Sequence, residues 1–233
     1  MLESAPFMDE QDIRGNLERV QAAIAKACQR VGRSADEVLL VAVSKTVELE
    51  RIRQAIAAGV RALGENRVQE ARGKIEVLGR AVPWHLIGPL QTNKAKDAVR
   101  LFDWIHSVDR LELATELDRR ARALGRTVDA LLEVNVAEEP QKSGARPDEI
   151  KPLLDAIAGL SGIRIRGLMA IPPAVSDAEQ SRPHFRRLRE LGAAVGLPHL
   201  SMGMSGDFEV AIEEGATMVR VGTAIFGPRG NLR

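Results

Sequence analysis

The chain has 233 residues, of which 45% are hydrophobic, and this is enough apolar material to bury a core in one large domain or two small ones. The formal net charge is +1 and the basic residues are scattered, which excludes the concentrated positive surface typical of nucleic-acid-binding domains. The single cysteine excludes an internal disulfide framework, and the four histidines lack the spacing of a metal site.

The composition also predicts a cellular location. The first ten residues lack the apolar segment of a secretory signal, and no apolar run approaches the length of a membrane span. A lone cysteine, Cys28, is typical of a reducing compartment and is interpreted as a small core residue. We therefore expect a cytoplasmic protein that binds neither nucleic acid nor a membrane.

An amphipathic helix is predicted first, over residues 9–31, and an alternation of strands and helices follows it. Short apolar runs rich in β-branched residues predict eight strands, over residues 38–43, 61–63, 84–87, 104–108, 130–136, 163–170, 199–202 and 218–221. Helices are predicted between them. Two of these helices are expected to begin at capping boxes, Asp109 with Glu112 and Ser176 with Glu179, and a third at Ser205 or Asp207.

Eight evenly spaced βα units in a chain of this length predict an α/β fold, a single (β/α)8 TIM-like barrel with an extra N-terminal helix. A doubly wound sheet is the alternative. No linker or break in composition divides the chain, so we expect one domain over residues 1–233, with about residues 1–10 forming a flexible N-terminal extension.

Lys45 ends the first predicted strand, at the edge of the sheet where parallel α/β folds place their chemistry. Partial burial there would lower the pKa of the lysine and free its amine to attack a carbonyl group. The alternative is an ordinary lysine that extends from the end of the strand into solvent.

Polar residues recur where the other predicted strands end. They are Asn66, His85, His106, Ser107, Asn135, Met204, Ser205 and the segment from Arg220 to Thr223, with Met169 among them. Barrels often bind phosphate with the loops after strands seven and eight, and Ser205, Gly222 and Thr223 are chemically suited to this. Ordinary turn glycines with a helix-capping Ser205 are the alternative.

Five longer motifs stand out in the chain, namely AVSKT at residues 42–46, GEN at 64–66, WHLIGPLQTNK at 84–94, SMGMSGD at 201–207 and RVG at 220–222. Taken together they resemble one family, the pyridoxal phosphate homeostasis proteins, which are single-domain relatives of the alanine racemase barrel. The resemblance extends from about Ile13 to Gly227. It implies a fold type III barrel that carries pyridoxal 5′-phosphate (PLP).

The resemblance also implies roles for individual residues. Lys45 matches the lysine that forms the internal aldimine, a Schiff base, and Arg220 matches the arginine that faces the pyridine nitrogen. Residues of the phosphate cradle are matched by Ser205, Gly222 and Thr223, with Met204 beside them, and residues near the cofactor by Asn66 and His85. For Arg220 the alternative is a structural pairing with a carboxylate such as Glu65.

Three functions compete at this point. The first is a non-catalytic carrier or buffer in vitamin B6 homeostasis, and the others are a weak PLP-dependent amino-acid racemase and a Schiff-base enzyme acting on a sugar phosphate. The racemase relatives place a tyrosine opposite the lysine, and this chain contains no tyrosine. We therefore expect a monomeric carrier of PLP that reacts with small amines or amino acids and supplies PLP-dependent apo-enzymes.

Overall fold

The computed structural model describes residues 12–228, and the predicted N-terminal extension lies outside them. Within the described residues eight strands form the inner wall of the fold. They are β1 (Leu39–Val43), β2 (Leu63–Glu65), β3 (Trp84–Leu86), β4 (Trp104–Val108), β5 (Val128–Glu133), β6 (Ile163–Met169), β7 (His199–Met204) and β8 (Met218–Val221).

Nine α-helices of the described residues surround these strands. They are α1 (Ile13–Arg30), α2 (Leu49–Ala57), α3 (Val68–Leu78), α4 (Ala95–Leu101), α5 (Leu111–Ala123), α6 (Ile150–Ile157), α7 (Arg182–Ala194), α8 (Phe208–Glu213) and α9 (Thr223–Phe226). Each strand pairs in parallel with the next one along the chain, and β8 pairs with β1. The predicted barrel is therefore confirmed, and the doubly wound alternative is wrong.

Helix α1 packs against α8, α9 and α2 because one of its faces is apolar. Ile13, Leu17 and Ile24 are buried on this face, and Cys28 is buried with them as a core residue. Asn16 is buried as well, and its side-chain amide donates to the carbonyl oxygen of Ile225 at 3.0 Å. The helix is thereby tied to the turn that follows β8.

Five strands end at different residues from those predicted: β3 and β6 differ by one residue and β7 by two, while β2 and β5 differ at charged residues. The second strand was predicted over residues 61–63 but spans Leu63–Glu65. The prediction stopped early because glutamate is rare in strands, whereas Glu65 is buried in this one. The fifth was predicted over residues 130–136 but ends at Glu133, beyond which Val134 leaves the sheet and forms an isolated bridge with Ala145. Both differences matter because strand ends define the site.

Both predicted capping boxes are wrong. The Asp109 carboxylate accepts a hydrogen bond from Arg110 at 2.6 Å, and Arg110 itself occupies the cap position of α5. Just before α7, Asp177 rather than Ser176 caps the short 3-10 helix Ala178–Ser181. Its side chain accepts from the backbone N–H of Glu179 at 3.0 Å. Neighbouring residues that can all cap a helix compete, and pattern alone does not rank them.

The helix after β7 begins at Phe208, so that Asp207, the second of the two predicted residues, precedes it.

No helix within residues 12–228 is long and apolar enough to cross a membrane. That part of the chain also lacks any cluster of three or more histidine, cysteine, aspartate or glutamate side chains placed to hold a metal ion.

Candidate functional site

A cavity of about 750 Å³ opens at the carboxyl ends of the barrel strands, and its size is typical of sites for small molecules. Seven of the eight residues predicted from the sequence line it, namely Lys45, Asn66, Met204, Ser205, Arg220, Gly222 and Thr223. The eighth, His85, is buried in the barrel and does not line the cavity. Their roles toward a ligand stay predictions.

The backbone around Lys45 is held on both sides. Before it, the Ser44 hydroxyl donates to Glu65 Oε1 at 2.6 Å, and after it, the Thr46 N–H donates to Glu70 Oε1 at 2.5 Å. Thr46 has a φ of 61°, a left-handed conformation that β-branched residues avoid. The chain therefore turns sharply directly after the lysine.

Lys74 from α3 connects these anchoring groups. Its ammonium donates to the carbonyl oxygen of Ser44 at 2.5 Å, to Glu65 Oε1 at 2.8 Å and to Glu70 Oε1 at 2.6 Å. Burial raises the pKa of Glu65 although Lys74 opposes this, while hydrogen bonds from Lys74 and Thr46 outweigh burial and lower the pKa of Glu70. This buried cluster fixes the strand end that carries Lys45.

The loops after β7 and β8 meet at Ser205. Its hydroxyl oxygen accepts from the backbone N–H of Gly222 at 3.3 Å and from that of Ala224 at 3.5 Å. Ser205 does not cap α8; its hydroxyl instead accepts from backbone N–H groups at the start of α9, so the predicted helix-capping role applies to α9. A Cβ atom at Gly222 would lie 3.2 Å from the carbonyl oxygen of Val43, which shows how closely this loop approaches the end of β1.

Arg220 from β8 is a buried cation in the cavity wall, and only 3% of its surface is exposed. It donates to Ser201 Oγ at 2.6 Å and to the carbonyl oxygen of Ala170 at 3.0 Å. Glu65 pairs with Lys74 instead, so the predicted alternative of an Arg220–Glu65 pair is wrong. Among the described residues no carboxylate lies within ion-pair distance of Arg220.

The electrostatics of this wall are shaped by burial. Loss of hydration lowers the pKa of Arg220 to about 10, although the charges of Glu133 and Asp207 act in the opposite direction. Burial together with the charge of Asp109 raises the pKa of Glu133 to about 7, which Arg220 partly opposes. Perturbed groups that line one cavity are typical of functional sites.

Two contributions to this site were missed in the sequence. Glu133 lines the cavity at the end of β5, but the predicted strand ran on to residue 136 and drew attention to Asn135 instead. Lys74 lies in the middle of α3, and no local pattern distinguishes it from a surface lysine. A correct end for β5 would have identified Glu133.

Comparison with known proteins agrees with the geometry. Residues 15–230 match the family model described as alanine racemase, N-terminal domain. The pyridoxal phosphate homeostasis protein of Aquifex aeolicus is 48% identical over 220 residues, covering 91% of this chain and 96% of the relative. That of Escherichia coli K12 is 44% identical over 230 residues, covering 94% and 97%.

This chain belongs to the pyridoxal phosphate homeostasis protein family. The family predicted from the five motifs is thereby confirmed. A solved structure of PipY from Synechococcus elongatus PCC7942 with PLP bound is also similar, with a TM-score of 0.80 and 40% sequence identity. The match covers 92% of this chain and 100% of PipY, so the two folds correspond over nearly all of both chains.

Proposed function

We propose that this chain binds PLP covalently through Lys45 and acts in intracellular PLP homeostasis as a carrier or buffer, without robust catalytic turnover. One observation carries the proposal: a single cavity brings together Lys45, the buried cation of Arg220 and the loops joined at Ser205. Membership in a family that includes PipY, whose structure has PLP bound, supports the same cofactor.

The donor set fits PLP. The cofactor carries a phosphate, an aldehyde and a ring nitrogen, and it therefore needs an anion site, an amine and a hydrogen-bond donor. Ser205, Gly222 and Thr223, which line the cavity after β7 and β8, provide the first, and Lys45 provides the second. The third is Arg220, a buried cation whose described neighbours provide no ion-paired carboxylate.

PLP supplies an aldehyde that combines reversibly with amines and a ring that withdraws electrons from a bound substrate. Lys45 offers the attacking amine from a strand end that Lys74 holds in place. Arg220 can only donate hydrogen bonds, so it leaves an adjacent ring nitrogen without a proton and weakens electron withdrawal. Asn66 and Met204 shape the walls. This arrangement favours holding the cofactor over catalysis.

The proposal is tested by borohydride reduction and mass spectrometry. The protein is purified from cells grown with pyridoxine, its visible spectrum is recorded, and the reduced and digested protein is searched for pyridoxyl-lysine. We expect a visible band that bleaches and an adduct on Lys45, which Lys45→Ala abolishes. Lys26→Ala, at an exposed lysine of α1, is the control and should keep the adduct. An adduct on another lysine would contradict the assignment.

A Schiff-base enzyme acting on a sugar phosphate would use the same lysine and phosphate loops. The same reduction distinguishes the two functions when it is repeated with PLP or with a sugar phosphate as the only carbonyl compound. Trapping of the sugar phosphate on Lys45, together with no adduct from added PLP, would make this alternative the better one.

A weak racemase activity is favoured by one specific observation. Glu133 lines the cavity from β5, and Lys45 follows β1, so the two side chains come from opposite sides of an eight-stranded barrel. Two such groups could move a proton on both faces of a substrate carbon. Deuterium exchange at the α-carbon of several amino acids, compared with free PLP and with Glu133→Gln, measures this activity. A carrier shows little exchange above free PLP.

We further propose that the carrier is a monomer that exchanges PLP with small amines or amino acids and with PLP-dependent apo-enzymes. The cavity lies at the open end of the barrel, which supports access by small amines. Light scattering should give the mass of one chain. The loaded protein is mixed with an apo-enzyme while a scavenging amine is present in both buffers. The activity of that enzyme should then return more slowly than it does when free PLP is added.

A further inference from the structure

A row of buried polar side chains crosses the barrel interior and ends at Arg220. His85 from β3 and His106 from β4 are joined by a contact of 2.9 Å between Nδ1 and Nε2. His106 Nδ1 lies 3.0 Å from Ser201 Oγ on β7, which in turn accepts from Arg220 at 2.6 Å. All four are at most 3% exposed, and we call them the polar row.

The chemistry of arginine gives the polar row a direction. A guanidinium has no acceptor atom, so Ser201 Oγ must accept from Arg220. The serine hydrogen is then free to donate to His106 Nδ1, and His106 donates from Nε2 to His85 Nδ1. In the reverse direction Ser201 would accept twice, and its hydrogen would lack an acceptor among the contacts of the described residues.

Both histidines are neutral in this arrangement. Burial lowers the pKa of His85 to about 3, and burial together with the charge of Arg220 lowers the pKa of His106 well below its ordinary value. Trp104 stacks on His85 with ring centroids 5.7 Å apart and holds the far end of the row. Every member is therefore fixed in position and in hydrogen-bond direction.

We propose that His106 and Ser201 are positioning residues that present the Arg220 guanidinium to the ligand cavity in one orientation. The inference deepens the proposed function and rests on it, since it assigns the residues that set the PLP contact of Arg220. Ser201 and the Ala170 carbonyl together occupy two of the five N–H groups of the guanidinium. Loss of the Ser201 bond leaves this side chain free to turn.

Nitrogen-15 NMR of the histidine rings tests the direction of the row without any ligand. The chain has four histidines, and His106→Met identifies the signal of His106 by its loss. We expect His106 and His85 to be neutral from pH 5 to pH 8 and to carry their protons on Nε2. A proton on Nδ1 of His106, or a charged ring, would overturn the proposed direction.

A pair of substitutions at His106 tests the positioning role. Methionine fills the space without either hydrogen bond, whereas glutamine can accept from Ser201 and donate to His85. We expect His106→Met to weaken PLP binding by about tenfold and to shift the absorption band of the bound cofactor. His106→Gln should restore both properties.

The adduct position separates this inference from the proposed function. In His106→Met, borohydride should still place the adduct on Lys45, because Lys45 and its supports are on other strands. An unchanged band and unchanged affinity in a folded His106→Met variant would overturn the positioning role alone. Absence of a Lys45 adduct in the unaltered protein would instead overturn the proposed function.

Discussion

Glu133→Gln tests the electrostatics of the cavity wall. Burial and Asp109 raise the pKa of Glu133 from its ordinary 4.5 to about 7. Between these two pH values the folded chain keeps a proton on Glu133 that the unfolded chain has released. The stability that this proton contributes is complete below pH 4.5 and is lost as the pH rises through 7, and the pKa difference corresponds to about 3 kcal/mol.

The assay is urea unfolding at pH 5 and at pH 8. Glutamine cannot ionise, so the variant should exceed the unfolding free energy of the unaltered protein by about 1 kcal/mol at pH 5 and by about 3 kcal/mol at pH 8. Glu76→Gln, at an exposed position, is the control and should show no such difference. If Glu133→Gln is less stable than the unaltered protein at pH 8, attraction to Arg220 outweighs burial and the reasoning fails.

Three further substitutions test the supports of the site. Lys74→Met leaves the fully buried Glu65 without its cation and should lower the unfolding free energy by about 3–5 kcal/mol in urea; an unchanged value would show that Glu65 is protonated. Ser205→Ala should weaken PLP binding by about tenfold in equilibrium dialysis while the adduct site is unchanged, and equal affinity would remove Ser205 from the anion site. Gly203→Ala forces a side chain into a φ of 89° with its Cβ 2.6 Å from that of Ala211, and thermal unfolding should reveal a loss of about 2 kcal/mol or more.

The barrel could be predicted because the chain signals its periodicity locally. Residues 104–108 and 218–221 form the strands predicted for them, since short runs rich in apolar and β-branched residues are typical of buried strands. The strands that end in charged residues were misplaced. Glu65 is tolerated at a strand end only because Lys74 lies nine residues further on, and a contact of this kind is not a local pattern.

The candidate site was partly predictable for a related reason. Strand ends of a barrel converge on one face, and seven of the residues chosen there line one cavity. Four other residues chosen by the same rule do not line it, namely His106, Ser107, Asn135 and Met169. The rule does not say which way a side chain points, and His85 therefore lies inside the barrel rather than in the cavity. His106 was predicted only as one of several polar residues at strand ends. Its link to Arg220 through Ser201 joins residues 95 and 19 positions apart in sequence, which no local pattern reveals.

The left-handed conformation of Thr46 has a consequence for how this region opens. A threonine at a φ of 61° stores about 1–3 kcal/mol, which the hydrogen bond from its N–H to Glu70 helps to offset. Local opening of the segment should release this energy, so its opening free energy lies below that of the surrounding β1 strand. The rate of hydrogen exchange at the Thr46 amide therefore measures how often its hydrogen bond to Glu70 opens while the barrel stays folded.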